Sequence, residues 1–219
     1  MKNIKAVIFD MDGVIIDSEP IYFQIQKKVF DKLGFYVSDE EYNTFIGLGV
    51  RTMWERLKSF RILSQSIEEL IKLNNKMILD FFKEYQEIQT IPYFRKFLNS
   101  VLKEGMKVAV ASSTSKATIK VILEKLNLLK PFDVIISGEE VKNGKPAPDI
   151  FLETARRLKL PSESCIVIED SANGVIAAKN AKMKCIGFSN PNSGSQNLSK
   201  ADRVIKCFSE INISDLKLL

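Results

Sequence analysis

The chain has 219 residues, 45% of them hydrophobic and 27% charged, which is the balance of a soluble globular protein with enough length to bury a sizeable core. Its formal charge of +5 comes from lysines spread along the whole chain, without the block of about five or six like charges that marks a nucleic-acid arm, and no run approaches the roughly 18 apolar residues of a membrane span. The sequence contains no histidine, which excludes a Ser-His-Asp or Cys-His site and a His-ligated zinc centre and leaves acid–base chemistry to carboxylates or lysines.

The first element is a short apolar run, residues 4–9 (IKAVIF), which ends in the polar cluster Asp10, Asp12 and Gly13 and reads as a strand buried on both faces of a parallel sheet. The stretch from about Ser18 to Glu87 carries amphipathic patterns and no convincing strand. Helices are predicted over 20–33, 38–46, 52–59 and 66–85, the second opened by a Ser38/Glu41 capping box, and the segment 18–87 reads as a helical insertion with Pro20 and Pro92 near its hinges. Trp54, Phe81 and Phe82 fall on its packing faces.

Beyond the insertion, apolar runs over 107–113, 132–138, 165–171 and 184–189, with 203–206 as an edge strand, alternate with helical patterns over 116–127, 148–158 and 172–180. This alternation predicts a doubly wound, mainly parallel, Rossmann-like α/β core built from residues 1–17 and 88–219. The polar tract 189–197 reads as a surface loop. Cys165, Cys185 and Cys207 form no C-x-x-C pair, and the first two lie inside apolar runs, as packing residues of a reducing compartment do. Asp10 and Asp12 interrupt the first apolar stretch too early for a signal-peptide core, so a cytoplasmic location is expected.

In an open α/β sheet, ligands bind beyond the carboxyl ends of the strands. The residues that follow the apolar runs are Asp10 and Asp12; Ser112, Ser113 and Thr114; Lys145 in a later loop; and Glu169 with Asp170. Four carboxylates on one rim repel one another unless a cation neutralises them, and an all-oxygen set suits Mg²⁺. A serine hydroxyl and a lysine on the same rim supply what a phosphate group needs. Asp10 is positioned to attack phosphorus, and Asp12, two residues on, to protonate the leaving oxygen and then activate water. Plainer readings exist for each part: a DxD is often a polar turn, Glu169-Asp170 a helix N-terminus, and Ser112 the N-cap of the next helix.

These residues carry a resemblance. DMDGVIIDSEP (10–20), VAVASS (108–113), NGKPAPDIF (143–151) and VIEDSANGV (167–175) resemble, in order and spacing, the four motifs of the haloacid dehalogenase superfamily, in its subgroup with a helical cap inserted after the first motif. The resemblance implies Asp10 as nucleophile and metal ligand, Asp12 as acid–base and as metal ligand through its carbonyl, Ser112, Ser113 and Lys145 as phosphate-binding residues, and Glu169 with Asp170 as the rest of a Mg²⁺ site under a closing cap. FIGLGVRTMWERL (45–57) resembles the family's substrate-selecting loop, which makes Gly47 and Arg51 candidate substrate contacts; a surface salt bridge is the alternative for Arg51.

Within that family the pattern resembles sugar-phosphate phosphatases and, nearly as well, β-phosphoglucomutases. The mutases carry a histidine where this chain has Tyr22, and Arg51 stands one residue further from its glycine than the mutase loop places it. The expectation is therefore a Mg²⁺-dependent phosphatase acting on a small phosphorylated metabolite, as a monomer, with no nucleic-acid or membrane partner. Dehalogenation needs neither metal nor leaving-group acid, and a silent regulator predicts loss of a carboxylate that is here retained.

Overall fold

The structure is a computed structural model that describes residues 4–219. Among the described residues six strands form one parallel sheet: β1 (Ala6–Phe9), β2 (Lys107–Ser112), β3 (Val134–Ser137), β4 (Cys165–Glu169), β5 (Lys184–Phe188) and β6 (Arg203–Ile205), in the order β3-β2-β1-β4-β5-β6. The strand order reverses at β1, so β2 and β4 flank it, with Phe9 opposite Val110 on one side and Ile168 on the other. That switch point is where an open α/β sheet forms its ligand crevice.

Successive strand residues feed opposite faces. Val7, Phe9, Val108, Val110, Ile166 and Ile168 pack into one core layer, and Ala6, Ile8, Ala109, Ala111, Cys165 and Val167 into the other. Helices α5 (Phe94–Lys103), α6 (Lys116–Lys125) and α9 (Ile213–Leu218) cover the first face; α7 (Asp149–Leu158) and α8 (Ala172–Asn180) cover the second. Phe9 meets Phe94 edge-on at 5.3 Å and Phe97 and Phe132 at 6.2 Å, fixing the strand just before the loop that opens with Asp10.

Four helices, α1 (Glu19–Lys32), α2 (Asp39–Asn43), α3 (Val50–Phe60) and α4 (Ile67–Glu84), lie between β1 and α5, within the predicted insertion. Trp54 is fully buried with its ring 5.9 Å from Phe30, and Phe82 packs edge-on against Tyr22, so both aromatic side chains belong to packing.

Three local expectations change. Ser38 accepts from the Glu41 amide, but the Glu41 carboxylate pairs with Arg61 at 2.6 Å instead of closing a box; within the insertion a reciprocal capping box stands instead at Ser66 and Glu69 of α4. Helix α5 is an addition to the predicted elements: Phe94, Phe97, Leu98 and Val101 have helical spacing, and Pro92 stands just ahead of the helix, where a proline does not break it. The tract 189–197 is more than a surface loop: Asn190 and Ser193 are buried and bonded to the rim of the sheet. No helix among the described residues is long and apolar enough to cross a membrane.

Candidate active site

The β1 ladder extends one rung past the strand, where the Asp10 amide donates to the Ile168 carbonyl at 3.0 Å and fixes the first carboxylate between β2 and β4. The chain then turns at once. The amides of Ile15 and Ile16 donate to Met11 O, and Gly13 N donates to Ile16 O at 2.8 Å. Gly13 has φ +77°, and a Cβ there would overlap the Asp170 carboxylate, so only glycine satisfies both the backbone and its neighbour. A Cβ on Gly174, in the first turn of α8, would likewise overlap the Glu169 carboxyl group.

Asp10, Glu169 and Asp170 bring their carboxylate oxygens within 4.8 Å of one another, all three buried. Lys145, itself buried, donates to Asp10 Oδ1 at 2.5 Å, to Glu169 Oε2 at 2.9 Å and to the Ala111 carbonyl at 3.2 Å. Burial, reinforced by the Glu169 charge, holds the Asp10 carboxyl well above the ordinary carboxylate range despite Lys145, and burial with the charges of Glu169 and Asp10 does the same to Asp170. Three carboxylates against one ammonium leave the ionised cluster short of positive charge. An all-oxygen donor set of this kind fits a hard divalent cation, Mg²⁺ among them, held by Asp10, Glu169 and Asp170.

The Asp12 carboxylate stands outside that cluster and is held by hydroxyl groups. Ser18 donates to Oδ1 at 2.8 Å, while Ser112 at 3.1 Å and Thr114 at 2.7 Å both donate to Oδ2. Because the Thr114 hydrogen is committed to Asp12, the Tyr22 hydroxyl, 3.1 Å away on α1, is the donor in its contact with Thr114. Burial pushes the Tyr22 phenol well up, as does the neighbouring Asp12, which keeps it protonated for that role. Burial, with the charges of Asp12 and Asp17, also raises Glu19 to about 7.

The plainer capping roles go to other residues. Ser115 caps α6 and Ser171 caps α8; Ser112 accepts from the Thr114 amide at 3.0 Å, and Glu169 Oε1 accepts from the Ser171 amide and hydroxyl at 3.2 and 2.6 Å, which leaves Glu169 Oε2 to Lys145. Ser113 is exposed beside the backbone of Gly138. Arg51 is exposed on α3 and pairs with Glu68 at 3.1 Å and with Glu55 at 3.9 Å. Gly47 lies at the seam with the core, where its carbonyl accepts from Asn173 at 3.1 Å. The structure adds Ser18, Thr114, Tyr22 and Ser193 to the site. Thr114 was visible as the last hydroxyl after β2, Ser18 lies within the first motif and Tyr22 at the position where mutases carry histidine, whereas Ser193 comes from a polar loop whose composition marks no site.

The model of a family described as "Haloacid dehalogenase-like hydrolase" matches residues 7–188, which include every motif residue above. The chain belongs to this family of hydrolases. It is 35% identical to a phosphorylated carbohydrates phosphatase of Thermotoga maritima over 83% of each chain. CbbY from Rhodobacter sphaeroides, crystallised in complex with phosphate, superposes with a TM-score of 0.89 at 26% identity, covering 98% of this chain and 99% of that one. A β-phosphoglucomutase from Clostridium difficile superposes at 0.83, also at 26% identity, covering 98% and 96%. The fold is thus that of haloacid dehalogenase-like enzymes with a helical insertion.

Proposed function

We propose that the protein is a Mg²⁺-dependent phosphatase that hydrolyses a small phosphorylated metabolite, a sugar phosphate by preference, through an aspartyl-phosphate intermediate on Asp10. The observation that carries this reading is the pairing of two differently held carboxylates: Asp10 sits in a buried cluster bridged by Lys145, and Asp12 sits beside it in a ring of hydroxyl donors. One carboxylate is thereby arranged to attack and the other to move a proton.

In the first half-reaction an Asp10 oxygen bonds to phosphorus and the bond to the leaving oxygen breaks, with that oxygen taking its proton from Asp12. In the second, Asp12 takes a proton from water, the water oxygen bonds to phosphorus, and the Asp10–phosphorus bond breaks, releasing inorganic phosphate and restoring Asp10. Lys145 and Ser112 offer charge and a hydrogen bond to the phosphoryl oxygens in both steps. Asp10, Glu169 and Asp170, with the Asp12 carbonyl that the family resemblance adds, would hold Mg²⁺, which when bound supplies the remaining positive charge. The hydroxyls of Ser18 and Thr114 orient Asp12 for both proton transfers, and Ser112, whose hydroxyl donates to Asp12 in this structure, turns that hydroxyl to the phosphoryl group when substrate is bound. We read residues 18–87 as a cap that covers this chemistry, and the free, buried thiols of Cys165 and Cys185 as support for a cytoplasmic, reducing setting.

A mutase has to grip a second phosphate from the cap. Arg51, the cap arginine of the resemblance, is exposed and paired with Glu68 and Glu55, and Tyr22 offers a neutral hydroxyl in place of an imidazole. Both observations favour hydrolysis. Phosphorus NMR of the protein with Mg²⁺, β-glucose 1-phosphate and a trace of the 1,6-bisphosphate separates the two: inorganic phosphate is the expected product, and accumulation of glucose 6-phosphate would make the enzyme a mutase.

A further inference from the structure

The helical insertion meets the core on two flanks. On one, Asn75 of α4 donates to Glu139 at 3.3 Å. On the other, loop 43–49 faces the core loop 190–196 and the start of α8 around a polar cavity of about 680 Å³ that shares no residue with the carboxylate cluster. Two neutral amide side chains of the core cross this second seam. Asn173 Nδ2 donates to Gly47 O at 3.1 Å. Gln196 accepts from the Ala172 amide through Oε1 at 3.0 Å, and its Nε2 donates to Ser193 O at 2.9 Å and reaches Ile46 O in the insertion at 3.5 Å.

The loop that carries Gln196 also reaches the catalytic centre. Ser193 Oγ donates to Asp170 Oδ2, Asn190 Nδ2 donates to Gly13 O at 3.1 Å, and Asn192 Nδ2 donates to Asp17 Oδ2 at 2.6 Å. One short segment therefore touches the cap loop, the carboxylate cluster and the turn that follows Asp12. Gly47 has φ +80°, and a Cβ there would stand 2.9 Å from Gln196 Nε2, so glycine is what lets the cap loop come down on this segment.

We propose that Asn173 and Gln196 are positioning residues of a latch that docks the helical insertion on the core, and that the 190–196 loop ties this docking to the placement of Asp170. Both latch contacts run from uncharged amides to main-chain carbonyls. Such bonds exchange readily with water and are individually weak, which suits a closure that must form and release on every turnover. The latch supplies a reason for Gly47 that does not involve substrate contact. It also unites the polar residues of 190–196 in one structural role. Asn190 and Asn192 pin the loop to the turn after β1, Ser193 holds Asp170, and Gln196 registers the cap.

Hydrogen–deuterium exchange read by mass spectrometry on the full chain tests this without any substrate, so its failure leaves the phosphatase reading standing. Asn173→Ala removes only the bond to Gly47 and touches no bond inside the core loop. Exchange in this variant is expected to rise about three- to tenfold in peptides spanning 43–49 and also in those spanning 190–196, with β1 and β4 unchanged. Gln196→Glu keeps the acceptor for Ala172 N but loses the donor to Ser193 O as well as that to Ile46 O, so it is read at 43–49 alone, where exchange should rise as in Asn173→Ala. With a turnover assay, KM should rise by a similar factor in both variants while kcat stays within about twofold, the signature of weakened closure rather than damaged chemistry. Faster exchange confined to 43–49 in Asn173→Ala, or unchanged exchange in both segments, would overturn the proposal.

Discussion

If the buried carboxylates hold Mg²⁺ as proposed, thermal stability should respond to Mg²⁺ in a pH-dependent way. Asp10, Glu169 and Asp170 oppose a single Lys145, so full ionisation leaves two uncompensated negative charges, which one divalent cation cancels. The folded-state pKa values of Asp10 and Asp170 are raised, chiefly by burial. Below the ordinary carboxylate pKa of about 4 these groups are protonated in both states and cost nothing; as pH rises from there toward the raised values, the unfolded chain ionises first and the metal-free protein loses stability. Each such group contributes a slope of up to about 1.4 kcal/mol per pH unit within its window. Mg²⁺ favours the ionised cluster, so its stabilisation should grow across the same window. At a hundredfold excess over its Kd the gain is about 2.7 kcal/mol, or a Tm increase of roughly 5 to 11 °C for a chain of this size. The assay is calorimetric unfolding with EDTA or with Mg²⁺ between about pH 4.5 and 8. A Tm increment that is absent, or that does not change with pH, would refute the reasoning.

Other residues give sharper local tests. Ser112→Ala and Thr114→Val each remove one hydroxyl donor from Asp12 and are expected to lower kcat by about ten- to a hundredfold with smaller changes in KM, as steady-state kinetics would show. Gly174→Ala drives a methyl group into the Glu169 carboxyl and should weaken Mg²⁺ binding in isothermal titration far more than it lowers secondary-structure content by circular dichroism. Arg51→Ala breaks only exposed ion pairs, so stability should fall by less than about 1 kcal/mol and kcat/KM on sugar monophosphates should stay within about twofold. A large loss of kcat/KM there would return Arg51 to the substrate.

The sheet and most of the polar rim at its carboxyl edge were legible in the sequence for one physical reason. Strands buried on both faces are apolar throughout, so each announces its end by the first polar residue, and in a parallel sheet those ends share one rim. Asp10, Glu169 and Asp170 were readable in this way, each standing at or just past the end of an apolar run, while Ser112, at the end of β2, had an N-cap as an equal reading and was carried mainly by motif resemblance. Lys145 sits in the longer loop between β3 and α7, not at the end of an apolar run, so its place between Asp10 and Glu169 was carried by motif resemblance. Ser193 and Asn190 were not legible, because a loop of serine, asparagine and glycine has the same composition whether it faces water or a carboxylate. The misplaced capping box has a similar cause: Glu41 has the right spacing from Ser38, but Arg61, distant in sequence, offers its carboxylate a charged partner. Tyr22 is the most instructive case. The sequence marked it only as standing where mutases carry histidine; the structure packs its ring on Phe82 and brings its hydroxyl beside Thr114, next to the Asp12 carboxylate.

The most direct test of the central assignment is inorganic phosphate release from β-glucose 1-phosphate, with Mg²⁺, by the wild-type protein and by Asp10→Asn side by side. The asparagine keeps the shape of the side chain and removes the nucleophilic carboxylate, so release by the wild type and a fall of more than about a thousandfold in the variant, with cooperative unfolding retained, is the predicted result. A variant that retains activity within about tenfold of the wild type would contradict the account.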